Sequence, residues 1–187
     1  KTPMTAIAVM HLIKQVVVEC NLPEGIFNLM IGDPSEIGEA MIADREVALI
    51  STTGSCTMGR RVSKVVASRL GKVILELGGN NAVIVTANGD LKLAIPAVFF
   101  GAIGTAGQRC TTTRRVIIHE SCYEQVKSKL LAAYKSLKIG DPLDKSNHMG
   151  PLIDEDAVQN MQDALQIIKA QGGEILYGGE RLQEKTY

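Results

Sequence analysis

Strand and helix signals alternate along this chain, joined by short glycine-bearing turns, and this alternation limits its folds more than any other feature. Residues 5–20 carry apolar side chains at helical spacing. Asn21-Leu22-Pro23-Glu24-Gly25 stops that helix, and residues 26–31 read as a strand. Gly32-Asp33-Pro34-Ser35 turns into a short helix over 36–43, followed by a strand at 47–51, a helix at 58–70 and a strand at 73–75. The second half continues with strands at 82–86, 116–119 and 174–177, and helices at 91–104, 122–137 and 155–171. Such alternation is the sequence form of a parallel sheet with crossover helices, so the expected class is α/β. A boundary is expected at Leu77-Gly78-Gly79, where two glycines let the chain leave one sheet and enter another, dividing it into 1–77 and 78–187.

Composition excludes several function classes. With 187 residues, 45% of them hydrophobic, the chain can bury a core. Its 20 basic residues balance 20 acidic ones and lie scattered, which argues against nucleic acid or anionic lipid as a partner. The longest uncharged apolar stretch, 93–108, is too short to span a bilayer and is broken by Pro96 and glycines. Cys20, Cys56, Cys110 and Cys122 form no Cys-x-x-Cys pair, and His11, His119 and His148 lie far apart and read as surface or edge residues, so no metal site is expected. No signal peptide opens the chain, and the expected compartment is the cytoplasm or a matrix like it. A start at Lys1 and an end at Glu184-Lys185-Thr186-Tyr187 are what a piece of something longer shows.

Three segments could carry chemistry. Thr53-Gly54-Ser55 follows a strand and opens a helix, where backbone N–H groups, the helix dipole and the Ser55 hydroxyl suit a phosphate; the same turn is also an ordinary joint of an α/β fold. Cys110, in Gly107-Gln108-Arg109-Cys110 at the end of an apolar helix, is either a nucleophile whose thiolate Arg109 favours, or a buried structural thiol. Glu76, between Leu75 and Leu77, is either a general base desolvated by an apolar strand or a strand-end carboxylate in water. Arg114-Arg115 reads as an exposed pair.

Together these segments resemble the aldehyde dehydrogenase superfamily. Leu75-Glu76-Leu77-Gly78-Gly79-Asn80-Asn81-Ala82 is similar to its glutamate signature and Gly107-Gln108-Arg109-Cys110 to its cysteine signature, in the expected order and separation. Thr53-Gly54-Ser55 resembles the cofactor turn, and residues 22–32 the Pro-x-Gly-x-x-Asn segment before it. Within the family, Asn80 and Ala82, with Gly104-Thr105-Ala106-Gly107-Gln108-Arg109-Cys110-Thr111-Thr112, are most similar to the branch that oxidises α-aminoadipic semialdehyde.

The resemblance implies a Rossmann-type cofactor lobe, in part, over 1–77 and the first part of a catalytic lobe over 78–187. It implies NAD (or NADP) as cofactor, a small-molecule aldehyde as substrate and a homo-oligomeric parent. By analogy Cys110 attacks the carbonyl and Glu76 activates the water that hydrolyses the thioester, with the Cys110 backbone N–H on the oxyanion. Gly54 and Ser55 face the pyrophosphate, Gly32 the adenosine half, and the Leu77 backbone the nicotinamide. Arg109 pairs with a substrate carboxylate, with Thr111 in the same pocket. Thr52 replaces the usual Phe before the turn, and Cys56 a commoner Thr or Ser. The family's oxyanion Asn and ribose Lys belong upstream, and its Glu-x-Phe-Gly-Pro segment downstream, so the isolated chain is expected to turn over weakly or not at all. A pseudoenzyme keeping the fold for assembly and a cofactor-independent cysteine esterase are the alternatives.

Overall fold

The computed structural model describes residues 1–182; residues 183–187, with Glu184 to Tyr187 among them, lie outside the described residues. The chain divides into two compact units, Lys1–Leu77 and Gly78–Tyr187.

In the first unit, α1 (Pro3–Glu19) opens on a proline at its first position, where the missing N–H costs nothing. A groove lined by Val9, Met10 and Ile13 of α1 and by Phe27 and Leu29 joins this helix to the segment that follows. A π-turn at Pro34–Gly38, capped by Asp33, leads into α2 (Glu39–Ala43). Then β1 (Leu49–Gly54), α3 (Cys56–Ser68) and β2 (Lys72–Leu77) form a β-α-β crossover, with β1 and β2 parallel and Ile50 opposite Val73. Ile42, Ile50, Val62 and Val66 are its buried core, closed by Val47, Met58, Val65, Val73 and Leu75.

The second unit repeats the scheme. Here β3 (Asn81–Val85), α4 (Leu91–Ile103) and β4 (Thr113–Ile118) make a second parallel pair, and α5 (Tyr123–Lys135) and α6 (Glu155–Ala170) follow. Val85, Cys122 and Val126 are buried at its centre. Phe99 of α4 meets Tyr134 of α5 edge-on, with ring centroids 5.3 Å apart, and burial raises the Tyr134 phenol. Among the described residues no helix is long and apolar enough to cross a membrane, and no group of His, Cys, Asp or Glu is placed to hold a metal.

The α/β reading holds, with corrections. Residues 26–31 and 174–177 are not strands. A strand needs a ladder partner, and neither segment has one among the described residues. The Asn28 side chain instead turns back to the Gly25 carbonyl at 2.6 Å, and Ile175 lies against Gly179 beside Leu165 of α6. Gly104–Gly107 is a tight turn with left-handed backbone after α4, so Cys110 stands past the helix in a turn of its own.

Candidate active site

The Cys110 segment is built by a reversal of the backbone. After α4 the chain bends through Thr105, Ala106 and Gly107 at φ of 54°, 53° and 72°, three consecutive residues in the left-handed region. Only the glycine adopts this freely, so a β-branched residue and an alanine are held here at a cost of order 1–3 kcal/mol each. Hydrogen bonds hold them. The Thr105 carbonyl accepts from the Gln108 backbone N–H at 3.0 Å and from its side-chain amide at 3.1 Å. Thr112, 5% exposed, donates its hydroxyl to the Gly107 carbonyl at 2.9 Å and accepts from the Arg109 backbone N–H at 3.1 Å. The Gln108 side-chain oxygen accepts from the Ile153 N–H at 2.9 Å, tying the turn to the segment before α6.

Cys110 is exposed on this turn, with exposed Thr111 beside it. The buried-thiol alternative therefore describes Cys122, whose sulfur lies 3.3 Å from the His119 carbonyl, and not Cys110. The Arg109 guanidinium donates from Nε to the Thr105 hydroxyl at 2.8 Å and lies over the Phe100 ring, 5.8 Å from its centroid.

The glutamate signature meets this turn through its asparagines and glycines. Asn81 at the start of β3 donates its side-chain amide to the carbonyls of Cys110 at 2.6 Å and Thr112 at 3.1 Å. The β3–β4 register slips there: Asn81 faces Thr113 but Ala82 faces Arg115, so Arg114 is left out of the ladder. Such a bulge re-aims a side chain. Arg114 donates to the Gly79 carbonyl at 3.0 Å and to the Arg109 carbonyl at 3.2 Å, and Arg115 donates twice to the Asn80 carbonyl. The two arginines are thus backbone fasteners rather than a merely exposed pair.

In the first unit, the parallel register places Thr53 opposite Glu76 and Gly54 opposite Leu77, so the turn before α3 and the carboxylate end of β2 lie side by side. Ser55 caps α3, its hydroxyl accepting from the Met58 N–H at 3.1 Å. The Met58 methyl lies where a Cβ on Gly54 would stand, and the end of the Ile37 side chain where one on Gly32 would. Leu77 packs on Gly59 of α3. Glu76 is exposed: along β2, Val73, Leu75 and Leu77 turn to the half-buried face, while Lys72, Ile74 and Glu76 take the other. Its apolar neighbours in sequence point away from it, so they do not desolvate it. Cys56 is the exposed first residue of α3, and Thr52 sits half-buried opposite Leu75.

Asn81, Thr105 and Thr112 carry no role in the sequence pattern alone, and Arg114 reads there only as half of an exposed pair; the Asn-Asn and Arg-Arg pairs beside the two signatures are the available signal.

Comparison with known proteins gives the chain's family and fold. The model of the Aldehyde dehydrogenase family matches residues 1–187. A Brassica napus protein, aldehyde dehydrogenase family 7 member A1, is 46% identical over 97% of this chain and 37% of its own length. The Mus musculus alpha-aminoadipic semialdehyde dehydrogenase is 43% identical over 96% of this chain and 33% of its own. The crystal structure of Staphylococcus aureus betaine aldehyde dehydrogenase in complex with NAD+ superposes with a TM-score of 0.92 at 32% identity, covering 98% of this chain and 36% of that one. The chain thus spans about a third of the length of the curated relatives it matches. A family match over every residue, with relatives above 40% identity and a shared fold, means that the chain belongs to the aldehyde dehydrogenase family.

Proposed function

We propose that the full-length protein carrying this chain is an NAD(P)+-dependent dehydrogenase that oxidises an aldehyde to a carboxylate, its substrate being α-aminoadipic semialdehyde or a related semialdehyde bearing an acid group. The observation that supports this most is Cys110 itself: an exposed thiol on a turn whose backbone is fastened by Asn81, Thr112 and Arg114, next to an arginine. In this reading residues 1–77 are the later part of a cofactor-binding domain and 78–187 the earlier part of the catalytic domain. The parent is a homo-oligomer of the cytoplasm or the mitochondrial matrix.

The Cys110 thiolate adds to the aldehyde carbon, forming the C–S bond of a thiohemiacetal while its backbone N–H faces the developing oxyanion. After two-electron oxidation the acyl group remains on sulfur as a thioester. Glu76 takes a proton from the attacking water, the C–S bond breaks, and the carboxylate leaves with the thiol restored. Exposure keeps the Glu76 carboxylate available to water. Arg109 offers its guanidinium to the substrate's carboxylate, and Thr111 lines the same pocket.

The donor set at the end of β1 fits a dinucleotide: a serine hydroxyl and the N-terminus of a 13-residue helix, at the carboxyl end of a parallel strand. Gly54 and Ser55 would hold its pyrophosphate, Gly32 its adenosine half and the Leu77 backbone its nicotinamide. When bound, the dinucleotide supplies the two-electron acceptor. The Staphylococcus aureus relative, crystallised with NAD+, supports that choice.

The test is NADH formation from α-aminoadipic semialdehyde by the full-length protein, beside Cys110→Ala and Arg109→Ala. Turnover abolished by the first change, and weakened chiefly in substrate affinity by the second, supports the reading. Cys110-dependent turnover of simple aldehydes alone discards the substrate, and no turnover of any aldehyde discards the reaction.

A further inference from the structure

Arg109 is an exposed side chain, and an exposed arginine samples many rotamers. This one is held on three sides. Its Nε donates to the Thr105 hydroxyl at 2.8 Å. Its Cζ lies 5.8 Å from the centroid of the Phe100 ring, itself 64% exposed. Its guanidinium also lies flat on Gly104, where a Cβ would come within 3.2 Å of Cζ and Nη1 and 3.3 Å of Nη2. Among the described residues no hydrogen bond or ion pair engages Nη1 or Nη2.

We propose that Thr105, with Phe100 and Gly104, is a specificity-determining positioning element: it fixes the Arg109 guanidinium by its Nε edge and leaves the Nη1–Nη2 fork to grip the carboxylate of an acid-bearing aldehyde. The inference rests on the reading of Arg109 as carboxylate anchor and adds what aims it. A fork gripping both oxygens of a carboxylate gains from being pre-set, because the rotamer freedom lost on binding has already been given up. It also gives the backbone at Thr105 a second role. With φ at 54°, a threonine is held where glycine or asparagine is favoured, and that conformation presents its hydroxyl to Nε four residues on.

The experiment compares two substrates in the full-length enzyme: α-aminoadipic semialdehyde and hexanal, a neutral aldehyde of the same chain length. Thr105→Ala removes the acceptor and relieves the β-branch. It is expected to raise KM for the semialdehyde about three- to tenfold, the equivalent of one ordinary hydrogen bond, with kcat and the hexanal constants within about twofold. Thr105→Ser keeps the hydroxyl and restores KM. Phe100→Leu, at an exposed site that tolerates the change, shifts KM in the same direction by less, which serves as the second variant should Thr105→Ala fold poorly. Equal loss on both substrates without rescue by serine makes Thr105 merely structural and overturns the proposal. If Arg109→Gln loses the preference for the semialdehyde while Thr105→Ala and Phe100→Leu keep it, the aiming role falls and the anchor stands. If Arg109→Gln keeps the preference, the anchor falls and takes this inference with it.

Discussion

The side-chain amide of Asn81 lies 2.6 Å from the carbonyl oxygen of Cys110 and donates to it, so a residue of the segment that carries Glu76 holds the backbone of Cys110 directly. The same amide reaches Thr112 at 3.1 Å. Asn81→Ala removes both bonds and leaves two carbonyls without their partner. We expect about a tenfold fall in kcat, from one to two hydrogen bonds that no longer fix the Cys110 turn. Steady-state turnover at a temperature where both proteins are folded measures it; a kcat equal to the parent's would show that Cys110 does not need this fastener.

Thr112 is the other fastener, and it is buried. Its hydroxyl is donor to Gly107 and acceptor from Arg109, so it bridges the left-handed stretch and the residue before Cys110. Thr112→Val keeps the shape and loses both bonds. The expected cost is about 1–3 kcal/mol of stability, because the abandoned groups are desolvated, while Thr112→Ser should lose about 1 kcal/mol or less. Urea unfolding of the three proteins decides it: a valine variant as stable as the parent would mean that water replaces the hydroxyl.

How far the sequence speaks for itself depends on how local the cause is. The crossover from β1 through α3 to β2 is legible because Ile50, Val62, Val66 and Val73 recur at strand and helix spacings, and Ser55 marks the helix start. Residues 26–31 carry a strand's composition without a strand's partner, and periodicity reports only one of the two segments a ladder needs. Cys110 and Glu76 are candidates that residue type and setting alone suggest. What surrounds Cys110 they do not suggest: the bonds from Asn81 to Cys110 and from Arg114 to Gly79 join positions 29 and 35 residues apart, and a side chain that seeks a distant carbonyl leaves no periodic trace. At Glu76 two sequence cues part: flanking leucines suggest desolvation, while alternation along β2 sends them to the other face and leaves the carboxylate exposed, the second of the two readings.

Acid should act on the first unit through Glu39. Arg61 grips this carboxylate with two bonds, Nε to Oε1 at 3.0 Å and Nη2 to Oε2 at 2.7 Å, joining α2 to α3. Those hydrogen bonds, more than the charge of Arg61, hold the carboxyl below its usual range. A depressed carboxyl stabilises the fold fully above its unfolded pKa of about 4.3, and the contribution disappears as the pH falls through the folded value. Glu39→Gln should therefore lower the urea midpoint at about pH 6, and the gap from the parent should close by about pH 3. The pair is exposed, so the gap at neutral pH should also shrink in high salt. A gap that persists in acid would assign the loss to packing of the side chain rather than to its charge.

Gly79 separates two explanations of the paired glycines in the glutamate signature. If they served as a flexible joint, an alanine would cost only backbone freedom. Neither Gly78 nor Gly79 has a left-handed φ, however, and a Cβ on Gly79 would lie 2.7 Å from the Cys110 carbonyl oxygen and 2.9 Å from the Asn81 side-chain oxygen. The obstacle includes backbone, which cannot swing aside as a long side chain can, so Gly79→Ala must push the Cys110 turn away from β3 and break the Asn81 bond with it. We expect about 1–3 kcal/mol of destabilisation together with a loss of turnover larger than that of Asn81→Ala. Gly38→Ala is the matched control. Its Cβ meets only Pro34 at an ordinary 3.7 Å, on a helical backbone, and the change should be neutral or stabilise by up to about 1 kcal/mol. Thermal unfolding and turnover of both variants distinguish the explanations. A harmless Gly79→Ala would return the glycine to the role of a joint, whereas loss at Gly79 alone places its requirement in the close approach of the Cys110 carbonyl.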